Sequence, residues 1–173
     1  MITLIIGGSG SGKSEFAEKL AMECSGKKYY IATMSAKDEE SLKKVQRHRD
    51  MRAGKNFETI EAERNLTLID IDCGTVLLEC VSNLVANEVF GECGGTENAY
   101  KAIINGINEL VQKSENLILV SNEIFGDGII YDEETVKYIA LLSKVNYYLS
   151  KFADEVIEVV YGIPIYHKRN EGK

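Results

Sequence analysis

The chain has 173 residues, a length that suits one domain spanning residues 1–173. Hydrophobic residues make up 45% of it, enough for a full core, and the formal net charge of −7 excludes the basic footprint that nucleic-acid binders usually carry. No apolar run is long enough to cross a bilayer, and the N-terminal apolar run leads into a glycine-rich loop rather than a cleavage site. We therefore expect a cytoplasmic protein with small-molecule partners, no nucleic acid and no membrane span.

Apolar strands alternate with helical segments along the whole chain. In chain order we predict strand 1–6, helix 14–24, strand 28–32, helix 38–52, strand 57–61, strand 75–79, helix 81–90, helix 98–113, strand 117–120, helix 133–152, and strands 155–160 and 163–166. This alternation predicts an α/β fold of the P-loop (RecA-like) type, a three-layer sandwich with a mainly parallel central sheet. Ligands of such sheets bind at the carboxyl ends of the strands, which brings residues 7–14, Thr33, Glu79 and residues 122–123 to one cleft.

The clearest motif lies between the first strand and the first helix. Residues 7–14 fit the phosphate-binding pattern G-x-x-x-x-G-K-S. A glycine loop between a strand and a helix turns backbone N–H groups toward an anion, and the helix N-terminus adds partial positive charge. Lys13 is expected to reach the β- and γ-phosphates, and the Ser14 hydroxyl to ligate Mg²⁺. The predicted nucleotide-binding residues of the loop are Gly7, Gly8, Ser9, Gly10, Ser11, Gly12, Lys13 and Ser14.

A P-loop protein needs a second acidic side chain near its metal. Glu79 ends a buried strand and fits this role by position, although Asp is more usual there. The alternative is a solvated carboxylate at a strand end. The sequence thus predicts Ser14 and Glu79 as metal ligands.

A histidine surrounded by cations is the second chemical feature. Lys44, His48 and Arg52 share one face of the predicted helix, and Arg47 and Arg49 flank the histidine. Neighbouring cations disfavour the protonated imidazole, and a neutral imidazole is a nucleophile. Arginines could also hold a triphosphate through bidentate contacts. From spacing alone, a solvent-facing histidine on a charged helix remains the favoured interpretation.

Seven motif blocks change that interpretation. They lie, in order, at residues 7–14, 30–33 (Y-I-A-T), 48–52 (H-R-D-M-R), 59–61 (T-I-E), 77–80 (L-L-E-C, followed by Asn83 and Asn87), 121–129 (S-N-E-I, then G-D-G-I) and 153–156 (A-D-E-V). Together they resemble the bifunctional adenosylcobinamide kinase / adenosylcobinamide-phosphate guanylyltransferase family of cobalamin biosynthesis, over the whole chain.

The resemblance implies two reactions. ATP or GTP phosphorylates the aminopropanol hydroxyl of adenosylcobinamide, and GMP is then transferred from GTP to that phosphate through a guanylyl-histidine at His48. It also implies Mg²⁺ as cofactor, a homotrimer, and catalytic roles for His48 and Lys13. The nucleotide-binding set implied beyond the loop is Ala32, Thr33, Met34, Arg49, Asp50, Met51, Arg52, Glu61 and Glu79.

The predicted helix 133–152 departs from the family pattern. Ile139 and Ala140 replace an Arg-Asp pair, so we expect kinase activity weaker than GMP transfer. Along one face of this helix, apolar and small residues form a stripe. The stripe predicts either a subunit contact or core packing within one subunit. The stripe consists of Val136, Ile139, Ala140, Ser143, Tyr147 and Ser150.

Two other functions stay open from the sequence. Another small-molecule P-loop kinase would not need His48, but the loop at 91–96 is too short for the arginine-rich lid of a nucleotide kinase. The second is a RecA-like ATPase that acts as a binding module. The negative net charge of the chain argues against an ATPase of this kind that binds DNA.

Overall fold

The computed structural model describes residues 1–34, 46, 54–91, 95–124, 126 and 128–169. Its strands are β1 (Ile2–Gly7), β2 (Lys28–Ala32), β3 (Glu58–Glu61), β4 (Thr75–Leu78), β5 (Asn116–Asn122), β6 (Glu155–Val160) and β7 (Ile163–Lys168). They form one sheet in the order β3-β2-β4-β5-β1-β6-β7. The P-loop strand β1 therefore lies between β5 and β6.

Six of these strands run parallel, and β7 alone pairs antiparallel, with β6. The predicted mainly parallel α/β sheet is confirmed. Because the carboxyl ends of parallel strands share one edge, Gly7, Ala32, Glu61, Leu78 and Asn122 all lie along it. We call this row of strand ends the carboxyl edge.

Helices cover both faces of the sheet. They are α1 (Lys13–Glu23), α2 (Val81–Val89), α3 (Thr96–Lys113) and α4 (Glu133–Phe152). The α1 residues Ala17 and Ala21 share one core cluster with Ile5 of β1, whereas Leu4 belongs to a second cluster that contains buried residues of α2, α3 and α4. Alternate side chains of β1 thus face opposite layers, which gives the expected three-layer sandwich.

A 3₁₀ turn at Leu66–Leu68, which the sequence did not predict, packs beneath α3. A Cβ placed on Gly106 would lie 2.5 Å from the Leu66 Cβ atom. This close approach gives a reason for glycine inside a helix, where it otherwise weakens helix formation.

Some predicted boundaries differ from the structure. Helix α3 begins at Thr96, two residues before the predicted start, and β5 continues to Asn122. Apart from Gln46, the predicted helix 38–52 lies outside the described residues. Within the described part of the chain, no helix is both long and apolar enough to span a membrane.

Candidate functional site

The loop of residues 7–12 joins the end of β1 to the start of α1. Gly12 has a φ of 89°, and a Cβ there would lie 3.2 Å from the Gly162 Cα atom. A Cβ on Gly7 would lie 2.6 Å from the Val159 carbonyl oxygen and from the Ser11 Oγ atom. Side chains at either position would distort the loop, so its glycines are a requirement of its shape.

Two neighbouring segments fix this loop by backbone hydrogen bonds. The N–H of Glu123, after β5, donates to the Gly7 carbonyl at 3.1 Å, and the N–H of Gly162, between β6 and β7, donates to the Ser11 carbonyl at 2.8 Å. The buried Ser11 hydroxyl turns toward Gly7 and has no hydrogen-bond partner among the described residues. The loop is therefore shaped before any anion binds.

The Lys13 ammonium lies over the same loop. Its Nζ atom donates to the Gly8 carbonyl at 3.0 Å. Burial lowers the pKa of Lys13 below its usual value, and a weaker electrostatic interaction with Cys80 acts in the opposite direction. Cys80 directly follows Glu79, so this interaction involves the segment that follows β4.

Ser14 and Glu79 come from the two elements that flank the proposed phosphate site. Ser14 is an exposed residue of the first turn of α1, and Glu79 follows β4 with only 8% of its surface exposed. The Glu79 N–H donates to the Ile31 carbonyl at 3.0 Å, which fixes its backbone. A hydroxyl and a carboxylate are oxygen donors that suit Mg²⁺, which otherwise keeps waters and substrate phosphates as ligands.

No group of three or more His, Cys, Asp or Glu that could hold a metal occurs in the described part of the chain. The donor set is thus small, and a Mg²⁺ ion bound there would take its other ligands from phosphate oxygens and water.

Two hydrogen bonds join the end of β2 to the α2 region, one from the Thr33 side chain and one from the Asn87 side chain. Buried Thr33 donates from its hydroxyl to the Cys80 carbonyl at 2.9 Å. The Asn87 amide donates to the Thr33 carbonyl at 2.8 Å and to the Glu63 carbonyl at 3.0 Å. Asn87 therefore ties the segment after β2 to the segment after β3. In the sequence, Asn87 stands only as a residue that follows the L-L-E-C block, and nothing there indicates this contact.

A second polar network joins β5, α2 and α4. Asn122 donates to the Ser82 Oγ atom at 2.6 Å, and Ser121 donates to the Asn146 Oδ1 atom at 2.7 Å. The Tyr138 hydroxyl donates to the Ser82 carbonyl at 3.3 Å, and burial raises the pKa of Tyr138. The S-N-E-I block could have indicated this polar network from the sequence, since Ser121 and Asn122 are its first two residues.

The structure brings most predicted site residues to the carboxyl edge. Residues 7–14 lie at β1, Ala32, Thr33 and Met34 at β2, and Glu79 at β4. Glu61 ends β3, four strand positions from β1, which is roughly 19 Å at normal strand spacing. Glu61 therefore lies away from the P-loop. His48, Arg49, Asp50, Met51 and Arg52 lie outside the described residues.

The site has three parts: a glycine loop between a central parallel strand and a helix, a lysine over that loop, and an acidic residue after a nearby strand. This arrangement defines a P-loop protein of the α/β class. The family model described as "Cobinamide kinase / cobinamide phosphate guanyltransferase" matches residues 3–166. The chain belongs to this family of transferases.

Curated relatives agree with that family. The "Bifunctional adenosylcobalamin biosynthesis protein CobU" of Salmonella typhimurium is 33% identical over 181 aligned positions, which cover 95% of this chain and 98% of the relative. The Escherichia coli protein of the same name gives the same identity and coverage. The Pseudomonas aeruginosa "Bifunctional adenosylcobalamin biosynthesis protein CobP" is 29% identical over 171 positions, covering 95% of this chain and 96% of the relative.

Proposed function

We propose that the chain phosphorylates adenosylcobinamide with ATP or GTP and then transfers GMP from GTP to adenosylcobinamide phosphate. The second reaction proceeds through a guanylyl group on His48 and gives adenosylcobinamide-GDP. The observation that carries the proposal is the glycine loop of residues 7–12, fixed by backbone hydrogen bonds, with the Lys13 ammonium donating to the Gly8 carbonyl. The family match supports it. Because both nucleotides are cytoplasmic metabolites, a cytoplasmic setting is part of the proposal.

The kinase step uses the P-loop side of the carboxyl edge. The Lys13 ammonium and the backbone N–H groups of the first turn of α1 hold the phosphates. Ser14 and Glu79 would hold Mg²⁺, which would neutralise charge on the phosphates when bound. The substrate hydroxyl attacks the γ-phosphorus, the bond to the β-phosphate oxygen breaks, and the nucleoside diphosphate leaves.

The guanylyl step uses the β2–β3 side. His48 follows β2 in the sequence, and Thr33, just after β2, contacts Cys80 and Asn87. The imidazole nitrogen attacks the α-phosphorus of GTP and pyrophosphate leaves. A phosphate oxygen of adenosylcobinamide phosphate then attacks the same phosphorus and the N–P bond breaks, which restores the free histidine. One difficult displacement becomes two easier ones.

The test is incubation with α-labelled GTP followed by denaturing gel electrophoresis. We expect a labelled adduct that is labile in acid and stable in base, because a protonated phosphoramidate nitrogen is a good leaving group. His48→Ala should give no adduct, while His167→Ala, which removes the other histidine of the chain, should label normally. An adduct that persists in His48→Ala contradicts the proposal.

The two alternative functions predict a different result in the labelling experiment. A different small-molecule P-loop kinase or a RecA-like ATPase would leave no GMP on His48. Retention of single-stranded DNA on a filter would favour the ATPase.

The homotrimer is also a proposal, supported by the exposure of the α4 stripe. Val136 and Tyr147 are 51% and 66% exposed, whereas the residues of α4 that pack into the core are Leu141, Leu142, Val145 and Leu149. The stripe is thus separate from the buried face of its helix and available for a subunit contact.

A further inference from the structure

A carboxylate is buried on the helix that follows the phosphate loop. Glu18 of α1 is 8% exposed and forms the buried face of that helix together with Ala17 and Ala21. Its Oε2 atom accepts a hydrogen bond of 2.6 Å from the Lys55 ammonium, and this is an ion pair. A carboxylate removed from water needs such a partner. Neither of the two proposed reactions uses this pair.

The backbone that presents Lys55 has a defined shape. Gly54 and Asn56, the residues on either side of Lys55, have φ angles of 91° and 53°. Glycine adopts such angles freely, and asparagine tolerates them better than most residues. Two left-handed residues around one lysine indicate that the surrounding contacts determine this turn.

A second contact attaches the same stretch to α1 and β2. The Phe57 ring meets the Tyr30 ring edge to face, with centroids 5.9 Å apart. Phe57 also packs against the core cluster that contains Ala17 and Ala21 of α1. Residues 55–57 are therefore held against the helix of the phosphate loop both by charge and by packing.

The position of Lys55 limits where His48 can lie. The histidine stands seven residues before Lys55 in the sequence, and seven residues span at most about 25 Å. Counted from Met34, just after β2, the separation is fourteen residues, which permits about twice that reach. Lys55 is thus the closer of these two points. Its partner Glu18 lies about 6 Å along the helix axis from Ser14, in the helix whose first turn is proposed to hold the phosphates.

We propose that the Glu18–Lys55 ion pair positions the chain that carries His48 relative to the bound triphosphate for GMP transfer. Both are positioning residues and act through the histidine. A buried ion pair adds little net stability, because the cost of removing two charges from water offsets their attraction. It admits fewer arrangements than an apolar contact, since charge and hydrogen-bond direction must both be satisfied. The inference rests on the proposed guanylyl step at His48 and adds to it the residues that hold the histidine in place.

The test compares two measurements: the rate of adduct formation at saturating α-labelled GTP, and the calorimetric affinity for inorganic tripolyphosphate. Glu18→Gln keeps the shape of the side chain and removes its charge, and Lys55→Met removes the ammonium. We expect each to slow adduct formation about tenfold or more, with tripolyphosphate affinity as in the wild type. Lys101→Met is the matched control and should label normally, because the Lys101–Glu97 ion pair is exposed.

A double variant separates folding from positioning, because an unpaired buried charge can itself unfold a chain. Glu18→Leu combined with Lys55→Met replaces both charges by apolar side chains. Its melting temperature should equal or exceed that of the wild type, because the desolvation cost of the two charges is gone. Adduct formation should still be slow, since the apolar pair does not specify one arrangement.

Each opposite result overturns the inference. Adduct formation at the wild-type rate in the folded double variant means that the ion pair does not position His48. Equal losses of adduct rate and tripolyphosphate affinity in Glu18→Gln mean that Glu18 acts on the shape of α1 and its loop. A wild type that binds tripolyphosphate but forms no adduct would instead refute the proposed guanylyl step, and the inference with it.

Discussion

Asn87 of α2 donates a hydrogen bond of 2.8 Å to the backbone carbonyl of Thr33, a residue 54 positions away in the sequence. The same amide donates to Glu63 at 3.0 Å. One side chain thus ties the residues that follow β2 to those that follow β3, and residue 48 lies between these two strands in the sequence. No other residue type of this size offers two N–H donors and no charge.

Asn87→Ala tests this contact. We expect a loss of about 1–2 kcal/mol in the free energy of unfolding, because two carbonyl groups lose their donor. Formation of the GMP adduct should fall more than tripolyphosphate binding. Asn87→Asp should be at least as damaging, since it places a carboxylate against carbonyl oxygens. Denaturant unfolding and adduct labelling measure both effects, and Asn105→Ala on the exposed side of α3 is the control. Unchanged labelling in Asn87→Ala would contradict the positioning role.

We expect the affinity for a nucleoside triphosphate to fall at alkaline pH as Lys13 loses its proton. Burial lowers the pKa of Lys13 below 10.5, and a bound triphosphate should raise it again because the phosphates favour the ammonium form. Binding should therefore take up protons at a pH just below 10.5 and weaken as the pH rises. Calorimetry in two buffers with different ionisation enthalpies measures the uptake. Lys13→Arg, which stays charged, should show none.

The same shift acts on the free protein. The unfolded chain binds more protons than the folded one in this alkaline range, so the contribution of Lys13 to the free energy of unfolding rises with pH there.

Lys13→Ala should weaken triphosphate binding about 100-fold or more, because charged hydrogen bonds to the phosphates are lost. Calorimetric affinity for GTP equal to that of the wild type would show that residues 7–14 do not bind phosphate.

Glu79→Gln tests the proposed metal site. The substitution keeps the volume of a buried side chain and removes its charge, so the fold should persist. Turnover should require at least about tenfold more Mg²⁺, because Mg²⁺ prefers carboxylate ligands. Initial rates over a Mg²⁺ titration are the measurement, and Glu109→Gln on α3 should match the wild type. Normal turnover at limiting Mg²⁺ would place the metal elsewhere.

The α4 stripe predicts assembly in solution. Sedimentation equilibrium at micromolar concentration should give about three times the chain mass of 19.2 kDa. Tyr147→Asp puts a charge into the proposed contact and should shift the mass toward the monomer. Glu134→Ala, at an exposed position of the same helix, should not. A wild-type mass of one chain would refute the assembly.

Local patterns predicted the elements of the fold well. Residues 7–14 with their flanking strand and helix lie as the motif requires. The spacing of Ile103, Ile107, Leu110 and Val111 predicts a core face on α3; the first three are buried and Val111 is partly buried. The antiparallel β7 could also have been found. Two residues between strands 155–160 and 163–166 are too few for a parallel crossover.

Long-range contacts were beyond the sequence. Nothing in the pattern around Asn87 indicates that it binds Thr33, and nothing near Gly162 indicates that it binds Ser11. Both contacts depend on the order of strands in the sheet, which tertiary packing sets. Glu61 was placed in the nucleotide-binding set by resemblance, and only the sheet order shows that it lies at the far end of the carboxyl edge from β1.

The two backbone hydrogen bonds that reach the phosphate loop, from Glu123 to Gly7 and from Gly162 to Ser11, bear on the entropy of binding. A flexible glycine loop would lose conformational freedom on closing around an anion, at a cost of about 1–2 kcal/mol for each residue fixed. Here that loss is taken during folding, when the ends of β5 and β6 come together beside β1. A phosphate bound there would meet a loop already in its final shape, so we expect association that does not wait for a loop rearrangement.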